Sequence, residues 1–416
     1  MKLKWITAPV VALLLLFSLT FFPAKDLLPS VSDPGADGSD QAGTLPSQPG
    51  QSGGGDIVLE ETEVYTELGI PLLTKYPDGA QARCAWDMVL YDGNIYIGSG
   101  DYDKNRGPAE IWRYDIAGGA FVHSGTVPDE EVNRFSLIFD TLVAPGIDPR
   151  EDWALGNYYV LTEGEWVKQR RLPGGVHCFD MVEYSGLIFA GMGVEDGTGY
   201  SPIAYSFDLD DSFYQVSLYK DGSVRDTAGY EYIRVYDFFV CGDELYALLF
   251  LFDNEGVRER CYELYHYDYD EDAFFFADDW TEKIKRLNYK NVHIGEKVIF
   301  DEALYFTTGY LYATNDMQTV TRIAFPQNAV VCDLYFANDT LYALTAAKDA
   351  ESGKLKTTVY ALSTGETEFC EVTSFLYDIP PMSMVVAGDD LYISMGNGNA
   401  AHAKNGMLLR VSLAEK

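Results

Sequence analysis

The chain repeats one short phrase: a tight polar turn, then an aliphatic residue followed by an aromatic one. It reads DGNIY at 92–96, GLIF at 186–189, DELY at 243–246, EALY at 302–305, DTLY at 339–342 and DDLY at 389–392. The aliphatic anchors are Ile95, Ile188, Leu245, Leu304, Leu341 and Leu391, and the first gap is double-length. At its midpoint Leu142, within FSLIFDTLVAPG, is a degenerate copy, which gives seven anchors and a period of about 49 residues. In most units an apolar strand precedes the turn (87–91, 180–184, 237–241, 333–337, 383–387) and the anchor strand follows it. A Gly/Asp/Asn-rich loop and a third strand come next (110–115, 203–208, 262–268), and a shorter fourth usually closes the unit. The strands are rich in Tyr, Phe and Val, and no stretch has helical periodicity.

Four short antiparallel strands per period of roughly 40–50 residues is the pattern of propeller blades. The last unit supplies strands at 383–387, 391–395 and 406–413 and lacks a fourth. Residues 57–66 (IVLEETEVYT) form a lone β-rich stretch before the first unit. Pairing it with 406–413 would close a ring and remove two open edges. Over residues 57–413 the chain thus resembles the β-propeller superfamily, in its exported bacterial form. The regular WD40, kelch and sialidase boxes are absent, so the resemblance carries no family function. The expected fold is all-β, a seven-bladed β-propeller with six blades as the fallback.

The N-terminus has a different composition. Lys2 and Lys4 precede an uncharged run, Trp5 to Ala24, whose centre is apolar. Residues 1–25 therefore read as a signal peptide or an N-terminal membrane anchor. Phe22 stands where a cleavage site wants a small residue, which favours the anchor. Residues 26–55 form a linker too polar to offset its own ordering entropy, with 16 Gly, Pro or Ser in positions 29–55. As a random coil it would reach roughly 30 Å. The propeller domain is expected over 56–416. The chain is expected to be exported, extracellular or held at the cell surface, with membrane contact only through the N-terminal segment.

The formal charge is −34, and removing Lys2, Lys4 and Lys25 leaves the exported part near −37. Such a surface repels nucleic acid and anionic lipid. The six cysteines (84, 178, 241, 261, 332, 370) have no metal-ligand spacing, and three of them fall inside expected strands beside aromatic residues, so free buried thiols are expected.

Connections between first and second strands are tight, whereas those between second and third are long: 98–108, 144–156, 191–202, 252–260 and 395–406. The resemblance implies that inner strands line a channel and that the long loops crowd one mouth of it, where function is expected. Eight positions before the anchors stand Asp87, Arg134, Asp180, Asp237, Glu296, Asp333 and Ser383. One expectation is that each caps the turn before its own strand. The other is a ring of oxygens at the mouth, with Asp87, Asp180, Asp237 and Asp333 holding a hard cation such as Ca²⁺. Three positions earlier lie His177, Arg234 and His293, with Arg83 close to the same level; with Arg134 they would make a basic patch inside an acidic rim. Tyr102, Trp153, Tyr200 and Tyr310 in the long loops are candidates for stacking on a sugar ring.

No nucleophile-elbow, zincin, Walker or EF-hand spacing is present in the repeat region. Two functions remain. The first is a binding or scaffolding module for a saccharide, another small polar ligand or a cell-wall component. The second is a metal-assisted hydrolase or lyase at the same mouth, with His177 and His293 as acid and base. A monomer is expected, with no cofactor beyond a Ca²⁺ ion in that ring.

Overall fold

The computed structural model describes residues 58–101, 104, 106–195, 199–225, 230, 232–252, 261–277, 296–398 and 400–413. The N-terminal segment and the linker lie outside these. Among the described residues no helix is long and apolar enough to cross a membrane.

All seven anchors are buried, none more than 2% exposed. The tight turns before them have a local cause. In five units both central residues take positive φ: Asp92–Gly93, Phe139–Asp140, Ser185–Gly186, Asp301–Glu302 and Asn338–Asp339. That backbone matches the twist of two-residue hairpins and selects Gly, Asn and Asp. The degenerate unit forces Phe139 into it at φ 48°, an unusual conformation for a bulky side chain.

Among the described residues, five four-stranded antiparallel sheets stand as separate blades. The first is Met88–Tyr91, Asn94–Ile97, Ala109–Asp115 and Ala120–Val127. The degenerate unit also makes a full blade: Ser136–Ile138, Thr141–Pro145, Leu155–Thr162 and Glu165–Pro173. Two more begin at Lys297–Phe300 and Val330–Ala337, and the last contains Pro381–Ala387, Asp390–Met395 and Met407–Ser412. The expectation of seven separate blades, or six, is therefore corrected to five.

The remaining strands merge into one twelve-stranded sheet, because two repeat units run past their blade length and meet. The end of Leu187–Glu195, at Gly193–Glu195, pairs with Tyr232–Arg234 of the next unit. On the other side Ile147–Pro149, from the 144–156 loop, bridges Asp129–Glu131 and His177. Ser217–Lys220 adds to the outer edge by parallel pairing with Ala273–Phe276.

An N-terminal strand does complete the last blade, but it is Thr66–Gly69, paired with Leu408–Arg410, and not 57–66. Residues 60–67 fold back on themselves: Glu67 N–H donates to Glu60 O, and Glu61 bridges Thr66. Buried Glu67 holds the strand in place, accepting from Tyr377 Oη at 2.6 Å and Lys404 Nζ at 2.7 Å. First and last sheets share one apolar cluster, with Ile95, Ile97 and Tyr114 against Val385, Tyr392 and Leu408.

Arg83 is the strongest clamp in this region. It is 1% exposed, and its guanidinium donates to the carbonyls of Tyr76 (3.1 Å), His402 (2.8 Å), Ala403 and Asn405 (2.8 Å). It ties the stretch just before the first blade to the 395–406 loop, 322 residues away in sequence. Arg83→Met keeps the aliphatic stem but strands these carbonyls, so unfolding by denaturant should show a loss on the order of 3 kcal/mol. A loss below about 0.5 kcal/mol, the range of an ordinary surface change, would contradict the clamp.

Candidate functional site

Of the residues eight before each anchor, Asp87, Arg134 and Glu296 stand just before an inner strand, and Asp180, Asp237, Asp333 and Ser383 lie within one, where β-bulges set their aim. The pairing register slips between Cys178 and Asp180, Val235 and Asp237, Val331 and Asp333, and Pro381 and Met384. A bulge bends its strand and re-aims the side chain that follows. The carboxylates then reach across to the next unit. Asp87 Oδ2 accepts the Phe135 N–H at 2.6 Å and Asp180 Oδ2 that of Phe238 at 2.8 Å. Asp333 Oδ2 accepts from Met384 N–H, and Ser383 Oγ from Met88 N–H at 3.0 Å. Each donor is the residue after the next unit's equivalent position. The column therefore staples units together rather than capping the turn before its own strand; Asp333 also bonds its own strand, through Leu334 N–H at 2.7 Å, and Asp87 also bonds the backbone of Met88.

Arg134 fills its place in the column by donating. Its Nη1 lies 3.0 Å from Asp180 Oδ1 and 3.2 Å from Asp237 Oδ1. Lys297 joins them, bonding Asp180 and lying 3.5 Å from Asp237 Oδ1. Sequence reasoning missed Lys297, although a signal existed. The column one residue further on reads Met88, Phe135, Met181, Phe238, Lys297, Leu334 and Met384, with a single charge.

The charges divide unevenly. Burial works against ionised Asp180, but Lys297 and Arg134 outweigh it and hold the carboxyl below its usual range. Burial, then Glu296, pushes Asp87 up to about 8. Burial also raises Glu296, and burial with Glu296 and Asp87 raises Asp333 well above the ordinary carboxyl range. Arg134, Asp180, Glu296 and Lys297, with Phe135, Ser136, Leu137, Met181, Val182 and Glu183, line a cavity of about 270 Å³. Beside it, Asp237 Oδ2 is buried and has no hydrogen-bond partner among the described residues.

The expected metal ring is not assembled. Among the described residues no three His, Cys, Asp or Glu side chains form a set that could hold a metal ion. The reason is geometric: Asp87, Asp180 and Asp333 are spent on backbone N–H groups, and two cations stand between Asp180 and Asp237.

The basic patch is partly formed. His177 pairs with Gly193, and Gly193 with Arg234, so the two basic residues flank one glycine across three strands. A Cβ on Gly193 would lie 2.9 Å from His177 Nδ1, which is why the row needs glycine there. His177 stacks on Phe179 at 5.2 Å, and Arg234 lies 5.7 Å from the centre of the same ring. Arg83 is excluded from the patch because carbonyls consume its donors, Arg134 lies with the carboxylates, and His293 is outside the described residues.

His177 instead belongs to an acidic array that the sequence did not disclose. Its Nε2 is 2.9 Å from Asp148 Oδ1. Asp148 faces Glu130 across the short ladder in which Asp129 pairs with Pro149 and Glu131 with Ile147. Like charges directly opposite repel. The pair resolves this by dividing its protons: burial and Asp148 push Glu130 up to about 11, while His177 overcomes burial and brings Asp148 down to about 2.

Of the loop aromatics, Trp153 (50%) and Tyr200 (39%) are exposed. Tyr310 is covered by Arg322 at 3.8 Å, and Tyr102 lies outside the described residues. Cys84, Cys178 and Cys241 are free and buried; Cys370 is free but exposed, against expectation.

No family model and no curated protein matches this chain. Among solved structures, a candidate 6-phosphogluconolactonase of Bacteroides fragilis aligns at 11% identity and TM-score 0.44, covering 73% of this chain and 88% of that one. A structure of the mitotic checkpoint complex aligns at 10% identity and TM-score 0.45, covering 78% and 88%. The β-propeller assignment rests on the strand pairing described above.

Asp87 provides a pH test. Its folded-state pKa lies above the unfolded one, so its contribution is full below the unfolded value and lost as pH rises through about 8. Asp87→Asn keeps an acceptor for Phe135 N–H and removes the titration. Denaturant unfolding between about pH 5 and pH 9 should show a shallower loss of stability with rising pH in the variant. Parallel curves for variant and parent would contradict the assignment.

Proposed function

We propose that this chain is a ligand-binding propeller, closed into a ring by its N-terminal strand and displayed outside the cell on an N-terminal tether. It takes a small polar ligand, a saccharide in the first instance, at the starts of its inner strands. The observation that carries this is the cavity of about 270 Å³, which mixes a guanidinium, an ammonium and carboxyls with Leu137, Met181 and Val182. Ligand pockets commonly span roughly 300–1,000 Å³ and combine apolar walls with a few placed polar groups, so this one suits a ligand at the small end. Donors on Lys297 and Arg134 and protonated or ionised carboxyls nearby offer a sugar both kinds of hydrogen bond. The unpartnered Oδ2 of Asp237 is an acceptor still to be used.

Acid–base catalysis as a hydrolase or lyase has one observation in its favour. Glu130 and Asp148 are adjacent carboxyls in opposite proton states, with His177 at hydrogen-bond distance. Such divided pairs mark acid and base roles in enzymes. The cavity of about 270 Å³ is lined by Arg134, Asp180, Glu296 and Lys297 and not by that array. Binding is therefore the better-supported function.

Calorimetry with glucose, galactose and N-acetylglucosamine tests it. At least one should bind, and Lys297→Gln should weaken that binding about tenfold or more, about 1.4 kcal/mol. Calcium and chelator should leave the affinity unchanged. Equal affinity in Lys297→Gln and the parent would move the site elsewhere.

A further inference from the structure

The face opposite the long loops carries a second feature. The connections between third and fourth strands of two adjacent repeat units, residues 207–213 and 268–272, meet there. Asp272 joins them, accepting from Tyr205 Oη at 3.1 Å and Tyr267 Oη at 2.8 Å. Around this joint the rings are unusually exposed: Phe207 60%, Tyr214 54% and Tyr269 63%. Tyr205 touches two of them, edge-on to Phe207 and tilted to Tyr214, each at 5.8 Å between centroids. Tyr269 stands edge-on to Tyr267 at 6.5 Å.

The same two loops hold Asp208, Asp210, Asp211, Asp268, Asp270, Glu271 and Asp272, and neither contains Lys, Arg or His. On one flank Gln169 donates to Asp210 Oδ1 at 3.0 Å, and Arg171 is occupied by Gln169 at 2.9 Å. Contiguous exposed rings mark interaction surfaces. Seven carboxylates packed beside them repel one another and favour whatever brings positive charge.

We propose that this acidic, aromatic rim docks a basic peptide segment of another protein, its Lys and Arg side chains lying over Phe207, Tyr214 and Tyr269 between the carboxylates. Both features select a cation. Ring faces attract ammonium and guanidinium groups, and Arg most often. A neutral glycan would use the rings but gain nothing from the concentration of carboxylates. The surface is separate from the saccharide cavity, so either can stand without the other.

The test separates this rim from the general negative field of the molecule. A labelled oligoarginine peptide is titrated against the parent and against Phe207→Ser/Tyr214→Ser/Tyr269→Ser, which leaves the net charge untouched. Binding should weaken at least tenfold in the triple variant. Asp270→Asn/Glu271→Gln should weaken it too and flatten its salt dependence. Tyr269→Ser alone, in an exposed hairpin turn, serves if the triple variant fails to fold, with at least a threefold loss expected. Parent-like binding by the ring variants would overturn the proposal, because the peptide would then be following charge alone. It would equally be overturned if a cello-oligosaccharide bound the parent and lost its affinity in the ring variants while the peptide did not.

Discussion

A backbone N–H at the start of an inner strand has no ladder partner on the side facing the neighbouring unit, and leaving it buried and unpaired is costly. This chain answers with a side chain from the preceding unit. Asp87, Asp180, Asp333 and Ser383 each accept such an N–H across the seam. Asp180 is held ionised by Lys297 and Arg134, and a bond to an ionised acceptor is worth about 1.5–3 kcal/mol, well above one to a neutral acceptor such as Ser383. At Asp180, Asp333 and Ser383 a bulge supplies the geometry, so bulge, acceptor and seam form one repeated device.

The device has an electrostatic cost that shapes the rest of the centre. Stapling units from within brings carboxyls together where their strands converge. The molecule offsets the repulsion with Arg134 between Asp180 and Asp237, with Lys297 against the same pair, and with protons on the groups left over. Asp87, Glu296 and Asp333 are the ones whose affinity for a proton rises. Arg134 is therefore the counter-ion that the carboxylate column requires. A cavity bounded by such groups is polar and held in place by the same bonds that hold the units, which suits it to binding without rearrangement.

Much of the fold was legible because hairpin chemistry is local. The turn and anchor pattern located the strands, including the degenerate unit at Leu142, since each hairpin needs particular residues at positive φ. What was not legible depends on length and on distant partners. Strands 187–195 and 232–241 outrun their unit and fuse, which no periodicity reveals. The N-terminal strand begins at Thr66 because residues 60–67 prefer to pair with themselves. The carboxylate column was visible as a column, but its acceptors' partners belong to another unit. Lys297 was visible only in the neighbouring column. His177 and Arg234 stood at one level in the sequence, and Gly193 between them lets them share a row. Asp148 and Glu130, which sit on short strands outside the repeat, gave no periodic signal.

Amide hydrogen exchange reports the seam directly. In Asp87→Ala the Phe135 amide, 48 residues away in sequence, loses its acceptor, while the strand Met88–Tyr91 keeps its ladder. Exchange should accelerate at Phe135, read in peptides that begin several residues before it, and stay near the parental rate in peptides covering 88–91. Acceleration confined to 88–91, with the Phe135 amide as protected as in the parent, would show that the column caps its own strands and does not join one unit to the next.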